Sequence, residues 1–366
     1  MGSGALWAIL PNVENALTQN LSSVIKLLPP EVYANPTWKG LAYLFRSFAI
    51  YAVLVWALVS VDNPWLLVPL WGVTALAIGS LFVLGHDAAH GALFKSERLN
   101  YWAGQAAMLP ALHVFDAWVL GHNRLHHGHT VREEMDFVWH PRSRAEFEAL
   151  PRWKRWLHRI EWSPFGAGLY YALEVYWKKM IWFTPPARMA AGIRRDQRIV
   201  GVYLLLGSAA VFGVGISTYG SVGGAIWMWT KVFLIPWIGW NYLIGAVVYV
   251  HHIDPDIAWW KRREWSKFKG QMEGTTVLQV PRWLNFFLHN IMTHVPHHVD
   301  MRIPFYGLPR AAEVIVENYP DIVSLRRLSF ADYLRATRSC KLYDFELGAW
   351  TDYDGNLARE PARAAA

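Results

Sequence analysis

Four long apolar stretches constrain the fold of this 366-residue chain more than any other feature of its sequence. In the hydrocarbon core of a bilayer no water can satisfy backbone polar groups, so a spanning segment must be a helix or part of a closed barrel. About 20 apolar residues form a helix about 30 Å long, which is enough to cross that core. The sequence therefore predicts an all-α membrane protein with four transmembrane helices, at about residues 41–61, 65–85, 200–217 and 225–250.

The composition supports this class. Apolar residues make up 54% of the chain and charged residues only 17%. The 22 Trp and 16 Tyr are typical of rings placed at the two bilayer interfaces, where one edge stays polar. Cys340 is the single cysteine, which excludes an internal disulfide and a cysteine-rich metal site. Any bound metal must therefore be held by nitrogen or oxygen.

The polar remainder is expected to form one cap on one side of the membrane. The turns at 62–64 and 218–224 contain no Lys or Arg, whereas residues 86–198 and 251–345 are rich in both. The excess of basic residues on one side indicates that this cap is cytoplasmic, facing inward from a bacterial inner membrane or its equivalent. We therefore predict a single integral membrane domain over residues 1–366, with interfacial helices and a helical cytoplasmic cap.

Residues 100–121 are apolar enough to suggest a further crossing. Pro110, His113 and Asp116 interrupt the stretch, and a crossing here would place the first two histidine clusters on opposite sides of the membrane. We therefore predict an interfacial or re-entrant segment.

Histidine is concentrated in four clusters at the cap ends of the apolar stretches. If residues 294–298 are helical, the three imidazoles of His294, His297 and His298 share one face, which is a chelating geometry. Nine candidate ligands are more than one tetrahedral or octahedral ion can use, so two metal ions with four to five nitrogens each are predicted. These ligands are His86, His90, His122, His126, His127, His252, His294, His297 and His298.

Iron is the favoured metal. A structural zinc site more often contains Cys, whereas iron accepts imidazole, leaves positions open for dioxygen and changes oxidation state. We expect two iron ions and dioxygen as co-substrate, with no catalytic residue beyond the metal ligands. Candidates to hydrogen-bond and orient the ligand rings are Asp87, Asp136, Asp254, His289, Asn290 and Asp300.

The remaining isolated histidines have a simpler interpretation. His113, His129, His140 and His158 have no partner at helical spacing and are expected to be interfacial residues satisfied by a carbonyl.

With these residues in view, the chain resembles the membrane fatty acid desaturases, most closely those of the acyl-lipid delta-12 (omega-6) type. The resemblance is carried by residues 85–91, by residues 118–130, and by residues 289–298 followed by Ile303-Pro-Phe-Tyr306. It implies four transmembrane helices, a cytoplasmic di-iron centre held by these histidines, and oxygen-dependent formation of a cis double bond in an acyl chain. In the fourth cluster His252, and not His251, fills the family's position.

One departure leaves the reaction open. The family's second motif usually has two residues between its first His and its His pair, whereas three residues, 123–125, separate His122 from His126 here. The three-residue spacing is similar to that in alkane hydroxylases and related di-iron proteins. The first motif also resembles that of carotenoid ketolases. Alternative outcomes at the same centre are therefore hydroxylation, carotenoid ketolation, or decarboxylation of a free fatty acid to a terminal alkene.

The expected partners follow from the same resemblance. The substrate is a fatty acyl chain, as a free acid, a thioester or a lipid, supplied through membrane lipids. The sequence contains no nucleotide-binding or haem-attachment motif, so a ferredoxin, rubredoxin or cytochrome b5-like donor is expected on a basic surface such as residues 261–263. Nucleic acid is excluded as a partner, because the basic clusters flank apolar spans and no nucleic-acid-binding motif is present.

A non-catalytic transporter or metal sensor is the alternative from another class. It is disfavoured because the apolar stretches lack the intramembrane charges and the inverted repeat typical of such proteins.

Overall fold

The computed structural model describes residues 20–360. Four helices are long and apolar enough to cross a membrane: Thr37–Ser60, Pro64–Ala89, Ala187–Tyr219 and Val222–His252. They are called the first to fourth spanning helices below. This confirms the predicted all-α membrane architecture with four spans.

The helices extend beyond the predicted spans at the cap end. The second continues past residue 85 to Ala89, the fourth ends at His252, and the third already begins at Ala187. Hydropathy marks where contact with lipid ends, whereas backbone hydrogen bonding continues past that point. Residues 187–198 are polar and were expected in the cap. In the structure they form the first helical turns of the third spanning helix.

The second spanning helix is the centre of the membrane region. In its most apolar window 56% of the residues are buried, against 11% in the third helix. It packs against the first and fourth spanning helices. A Cβ added at Gly79 would lie 3.0 Å from Leu243 and 3.4 Å from Trp240, so this glycine allows close approach to the fourth helix.

A buried lysine joins the ends of the spanning helices opposite the cap. Lys231 is fully buried and donates to Asp62 Oδ1 at 2.7 Å, to Tyr219 at 2.9 Å and to the carbonyl oxygen of Val61 at 3.0 Å. The charge is therefore paired and hydrogen-bonded, as burial requires.

The cap consists of short helices and two small sheets. Parallel strands Thr276–Gln279 and Ser324–Arg327 form one sheet, and antiparallel strands Leu342–Asp344 and Ala349–Thr351 form the other, so the cap continues beyond residue 345. Its α-helices are Leu21–Leu27, Glu97–Met108, Phe115–Trp118, His127–His129, Arg144–Ala149, Arg152–Glu161, Ala167–Tyr170, Lys267–Met272, Arg282–Leu288, His294–Val299, Leu308–Asn318 and Phe330–Ser339. Its 3-10 helices are Pro30–Tyr33 and Leu109–Ala111, and its π-helices are Val119–His126 and Tyr171–Ile181; a further π-helix, Thr230–Leu234, lies within the fourth spanning helix.

The segment 100–121 contains no helix long enough to cross a bilayer. Glu97–Met108 is followed by the 3-10 turn Leu109–Ala111 and by the short helix Phe115–Trp118. Leu112 has a φ of 57°, in the left-handed region, where the chain reverses between the two helices. Both histidine clusters that flank the segment consequently lie on the same side of the spanning helices.

Candidate metal centre

The cap end of the second spanning helix presents the first histidine cluster. His86 and His90 are one turn apart on one helix face, and their Nε2 atoms lie 3.3 Å apart. Gly91, with a φ of 72°, follows directly and lets the chain leave the helix.

The second cluster lies on a π-helix. In Val119–His126 the wide turn is closed by the N–H of His127, which donates to the carbonyl oxygen of His122. A π-turn accommodates one more residue than an α-turn, so it absorbs the additional residue between His122 and the pair His126-His127. The Nε2 of His122 consequently lies 2.8 Å from that of His86 and 3.2 Å from that of His127.

The third cluster is helical, as predicted, and its members point in two directions. Within His294–Val299, the His297 ring lies 4.6 Å from the His86 ring, centroid to centroid. The ring of the adjacent His298 lies 5.0 Å from those of His126 and His252, the latter at the end of the fourth spanning helix.

Eight of the nine predicted ligands therefore form two groups. In each group one nitrogen of every ring lies within 4.8 Å of all the others. The first histidine group is His86, His90, His122, His127 and His297. The second histidine group is His126, His252 and His298.

The ninth predicted ligand adjoins the second histidine group. The Nε2 of His294 lies 3.2 Å from that of His298. The ring of His251, set aside in favour of His252, stacks on the His294 ring at a centroid distance of 3.8 Å. The two residues of the fourth cluster thus take different places, and His252 is the one in the second histidine group.

Each ring of the second histidine group has a hydrogen-bond acceptor behind it. His126 Nδ1 donates to Asp136 at 3.0 Å, His252 Nδ1 to the carbonyl oxygen of Gly274 at 2.9 Å, and His298 Nδ1 to Gln271 Oε1 at 2.8 Å. Because these acceptors hold the proton on Nδ1, each Nε2 is left with its lone pair directed at the group.

Among the predicted orienting carboxylates, only Asp136 contacts its ring closely. Asp87 lies 3.4 Å from His86 Nδ1 and accepts a shorter bond, 2.6 Å, from the N–H of Phe305. Asp254 and Asp300 were expected beside the clusters. Asp254 pairs instead with Arg326, and Asp300 accepts from Tyr33 and Arg302. Proximity in sequence did not fix the direction of these two side chains.

His289 and Asn290 also point elsewhere. His289 lies 2.7 Å from the hydroxyl of Ser80, in the membrane region. The amide of Asn290 donates to the carbonyl oxygen of Phe305 at 3.2 Å and accepts from Asn285. The contacts of both residues fix the position of the segment that precedes the third cluster. Neither residue hydrogen-bonds a ring of the two groups.

Sequence reasoning missed three residues that contact the groups. Gln271 accepts from His298 and donates to the carbonyl oxygen of His127 at 2.7 Å. Met301 places its sulfur 3.1 Å from His90 Nδ1, and Gly274 supplies the carbonyl behind His252. Gln271 is far from every histidine cluster in the sequence, so the sequence gave no signal for it.

The four isolated histidines have partners outside the two groups. His113 bonds the carbonyl oxygen of Ala111 and the hydroxyl of Tyr171, while the others bond carbonyl or hydroxyl oxygens of nearby residues. Those partners are Leu125 for His129, Asp136 for His140 and Tyr353 for His158.

Burial favours the neutral form of three of the clustered rings. It lowers the pKa of His122, His127 and His297 well below the usual value, and repulsion between neighbouring imidazoles lowers it further. Burial also disfavours the charge on Asp136, but contact with His126 outweighs it and holds the pKa of that carboxyl below its ordinary value. Neutral imidazoles oriented by a carboxylate are the form that binds metal ions.

Unpartnered nitrogens provide a test of whether metal ions fit. Within residues 20–360, both nitrogens of His297 and the Nε2 of His252 are buried without a hydrogen-bond partner. Buried polar atoms are rarely left so, and here they lie among other imidazoles. A donor set made only of imidazoles, with no thiolate, suits iron and other first-row transition metals. The residues therefore fit two bound metal ions.

An apolar cavity adjoins both groups. It encloses about 70 Å³ and is lined by Phe82, Trp118, Met180, Trp240 and Val247. His86 and His122 of the first histidine group and His126 and His252 of the second also line it. An apolar ligand in this cavity would lie directly against both groups.

Comparison with known proteins gives the same picture as the geometry. A family model described as fatty acid desaturase matches residues 63–329. The sn-1 oleoyl-lipid 12-desaturase of Anabaena variabilis is 28% identical, covering 90% of this chain and 91% of that protein. The protein of the same name from Synechocystis sp. is 29% identical, covering 90% of each chain. A chloroplastic omega-6 fatty acid desaturase of Arabidopsis thaliana is 29% identical, covering 89% of this chain and 70% of that protein.

Proposed function

The chain belongs to the fatty acid desaturase family and is a membrane-bound oxidoreductase, and we propose that it inserts a cis double bond into a fatty acyl chain with dioxygen and a di-iron centre. The relatives named above act, by name, on an oleoyl lipid or at the omega-6 position. An oleoyl chain is therefore the first substrate to test.

The observation that carries this proposal is the position of the apolar cavity against both histidine groups. When bound, two iron ions supply the redox chemistry with dioxygen that removes two hydrogens from adjacent methylene groups. The first histidine group would hold one ion; the second histidine group, with His294, would hold the other. Trp118 and Trp240 line the cavity and keep water from the reacting methylenes.

We assign the histidine side of the membrane to the cytoplasm. The opposite side exposes the turns at 62–64 and 218–224, which contain no Lys or Arg. The one lysine near that side, Lys231, is buried and paired with Asp62, so it adds no exposed positive charge there. The cap carries the exposed basic residues, in agreement with the positive-inside rule.

Electrons are expected from a ferredoxin, rubredoxin or cytochrome b5-like protein docking on the basic side of the cap. Arg262 and Arg263 are exposed and form no ion pair within the described residues, while the adjacent Lys261 pairs with Glu346. Charge complementarity of this kind speeds association and weakens with salt. Turnover that is unchanged by salt and by R262E/R263E would contradict this docking site.

Expression in a host without such activity tests the reaction itself. Lipid profiling should show a new double bond in cells that express the wild-type protein. Cells that express His294→Ala, in which a proposed metal ligand is removed, should show none. His129→Ala is the matched control, because His129 lies two residues after the second cluster and hydrogen-bonds the carbonyl oxygen of Leu125. Equal products from wild type and His294→Ala, with the protein present in both, would overturn the proposal.

One observation favours a second outcome, decarboxylation of a free fatty acid to a terminal alkene. Lys179 lines the apolar cavity, where its ammonium group could hold a carboxylate. Hydrocarbon analysis of the same cultures separates the two reactions, because a terminal alkene has one carbon fewer than its parent acid and a desaturated lipid retains them all.

A further inference from the structure

We propose that a polar cavity beside the apolar cavity, called the vestibule below, binds the anionic end of the acyl substrate, with Lys179 as the residue that selects it. The inference deepens the proposed function and rests on it, since it assumes that an acyl chain occupies the apolar cavity.

The vestibule is large and adjoins the apolar cavity. It encloses about 700 Å³, against about 70 Å³ for its neighbour, and Phe137 and Lys179 line both. Lys179 Nζ lies 5.9 Å from the centroid of the Phe137 ring. These two residues therefore mark the junction, where an acyl chain in the apolar cavity would meet its polar end.

The lining of the vestibule carries charges of both signs, and most of its unpaired charges are positive. Arg142, Lys154 and Lys179 line it, and within residues 20–360 none of the three forms an ion pair. Lys178 differs, because it pairs with Glu174. Among the acidic residues of the lining, Asp136 contacts His126 and Glu174 pairs with Lys178, which leaves Glu134 and Glu161. The remaining surplus of cations favours a ligand that brings negative charge, and Lys179 is the cation next to the acyl chain.

Two buried atoms on the vestibule wall lack hydrogen-bond partners. Glu161 and His158 line the vestibule and are each only 5% exposed, yet Glu161 Oε1 and His158 Nε2 have no partner within the described chain. Burial, with the nearby Glu174, raises the pKa of Glu161 to about 7. A wall with unsatisfied polar atoms suits a hydrogen-bonding end group and not a further length of hydrocarbon.

The same chemistry could come from two sources. A free fatty acid brings a carboxylate, and a phospholipid or a coenzyme A thioester brings phosphate, and both accept charge-assisted hydrogen bonds from lysine. A neutral acyl lipid brings neither. The geometry thus separates anionic from neutral substrates, and the experiment separates carboxylate from phosphate.

Binding without turnover tests the proposal. The full-length protein is reconstituted in nanodiscs of phosphatidylcholine, and binding of radiolabelled oleic acid, of dioleoyl phosphatidic acid and of the neutral oleyl alcohol is measured by equilibrium titration. Lys179→Met keeps the stem and removes the charge, Lys179→Arg restores the charge, and Lys26→Met changes an exposed lysine that does not line either cavity.

Lys179→Met should weaken the binding of at least one anion by about tenfold or more, because the variant loses one charge-assisted hydrogen bond to the ligand. Oleyl alcohol should bind that variant as it binds wild type, which also shows that the apolar cavity is intact. Lys179→Arg and Lys26→Met should bind the same anion as wild type does. If only the binding of oleic acid depends on Lys179, the carboxylate is the group recognised. If only the binding of phosphatidic acid depends on Lys179, the phosphate is the group recognised.

Equal binding of both anions to wild type and Lys179→Met would overturn the proposal, as would equal loss of oleyl alcohol, which would indicate a structural role. Failure of the proposed function is a separate result. If no double bond forms in the expression test while anion binding still depends on Lys179, the desaturation proposal fails and the vestibule proposal stands.

Discussion

The two histidine groups differ in what lies behind their rings. In the second histidine group every Nδ1 donates to an oxygen of Asp136, Gly274 or Gln271. In the first histidine group the closest contacts join the rings to one another, such as His122 to His86 at 2.8 Å. Behind the rings are weaker partners: the sulfur of Met301 for His90 and a 3.4 Å contact to Asp87 for His86.

Because of this difference, the ligand rings of the two sites are held in their metal-binding orientation to different degrees before an ion binds. Acceptors on Nδ1 fix the tautomer and orientation of a ligand ring and raise its affinity for metal. The second histidine group is organised in this way, whereas the rings of the first histidine group have only the weaker contacts to Met301 and Asp87 behind them. We therefore expect the second group to bind its ion more tightly, and the predictions below test this asymmetry from the largest effect to the smallest.

Removing His297 should have the largest effect. Both of its nitrogens are buried without a partner, so the ring has no role within the described chain other than packing and ligation. If the centre holds two iron ions as proposed, His297→Ala should lose one of them and all detectable turnover, measured by elemental analysis of the purified protein and by product formation. His129→Ala serves as the control and should retain both ions. Full iron content in His297→Ala would remove this residue from the proposed ligands.

Asp136→Asn should weaken the second site by about 10-fold to 100-fold in metal affinity. The substitution keeps an oxygen for the N–H of Val131 but removes the negative charge beside His126. Affinity is measured by competition with a chromophoric chelator. Asp300→Asn is the comparison, because that carboxylate bonds Tyr33 and Arg302 and no ring of the two groups. If both variants lose affinity equally, Asp136 has no special role.

Gln271→Met should weaken the second site by about tenfold, near the lower end of the range for such partners. The acceptor behind His298 is lost, while the length of the side chain is nearly kept. The same chelator competition applies, and the loss should fall on the tighter of the two ions. A loss confined to the weaker ion would reverse the assignment of the sites.

Met301→Leu should change the first site least, by no more than about threefold, because a thioether is only a weak acceptor. Its sulfur lies 3.1 Å from His90 Nδ1 and is replaced by a methyl group of similar size. A loss as large as that of Asp136→Asn would show that the first histidine group is also organised from behind, and the asymmetry would disappear.

Much of the fold was predictable because lipid restricts the chain so strongly. A long apolar stretch such as 65–85 forms a helix in a bilayer. The distribution of Lys and Arg among the connecting segments indicates which of those segments lie on the cytoplasmic side. The His-rich helix 294–298 was also predictable, since spacings of three and four residues place rings on one face. The helix ends were not, because hydrogen bonding carries the helices beyond the lipid boundary, as at Ala187 and His252.

The orienting residues were predictable only in part. Asp136 was identified because it lies near the second cluster, but the same reasoning failed for Asp254 and Asp300, which turn toward arginines. Gln271 gave no signal, since a glutamine becomes a ligand partner only when the fold brings its short helix against the third cluster.

The sequence by itself determined that nine imidazoles gather at one end of four membrane-spanning helices. Only the tertiary structure decided how they divide. His126 and His127 are adjacent in the chain yet belong to different groups, and so do His297 and His298. Neighbouring residues on a helix point about 100° apart. The packing of the spanning helices against the cap therefore determines which ring of each pair faces which group.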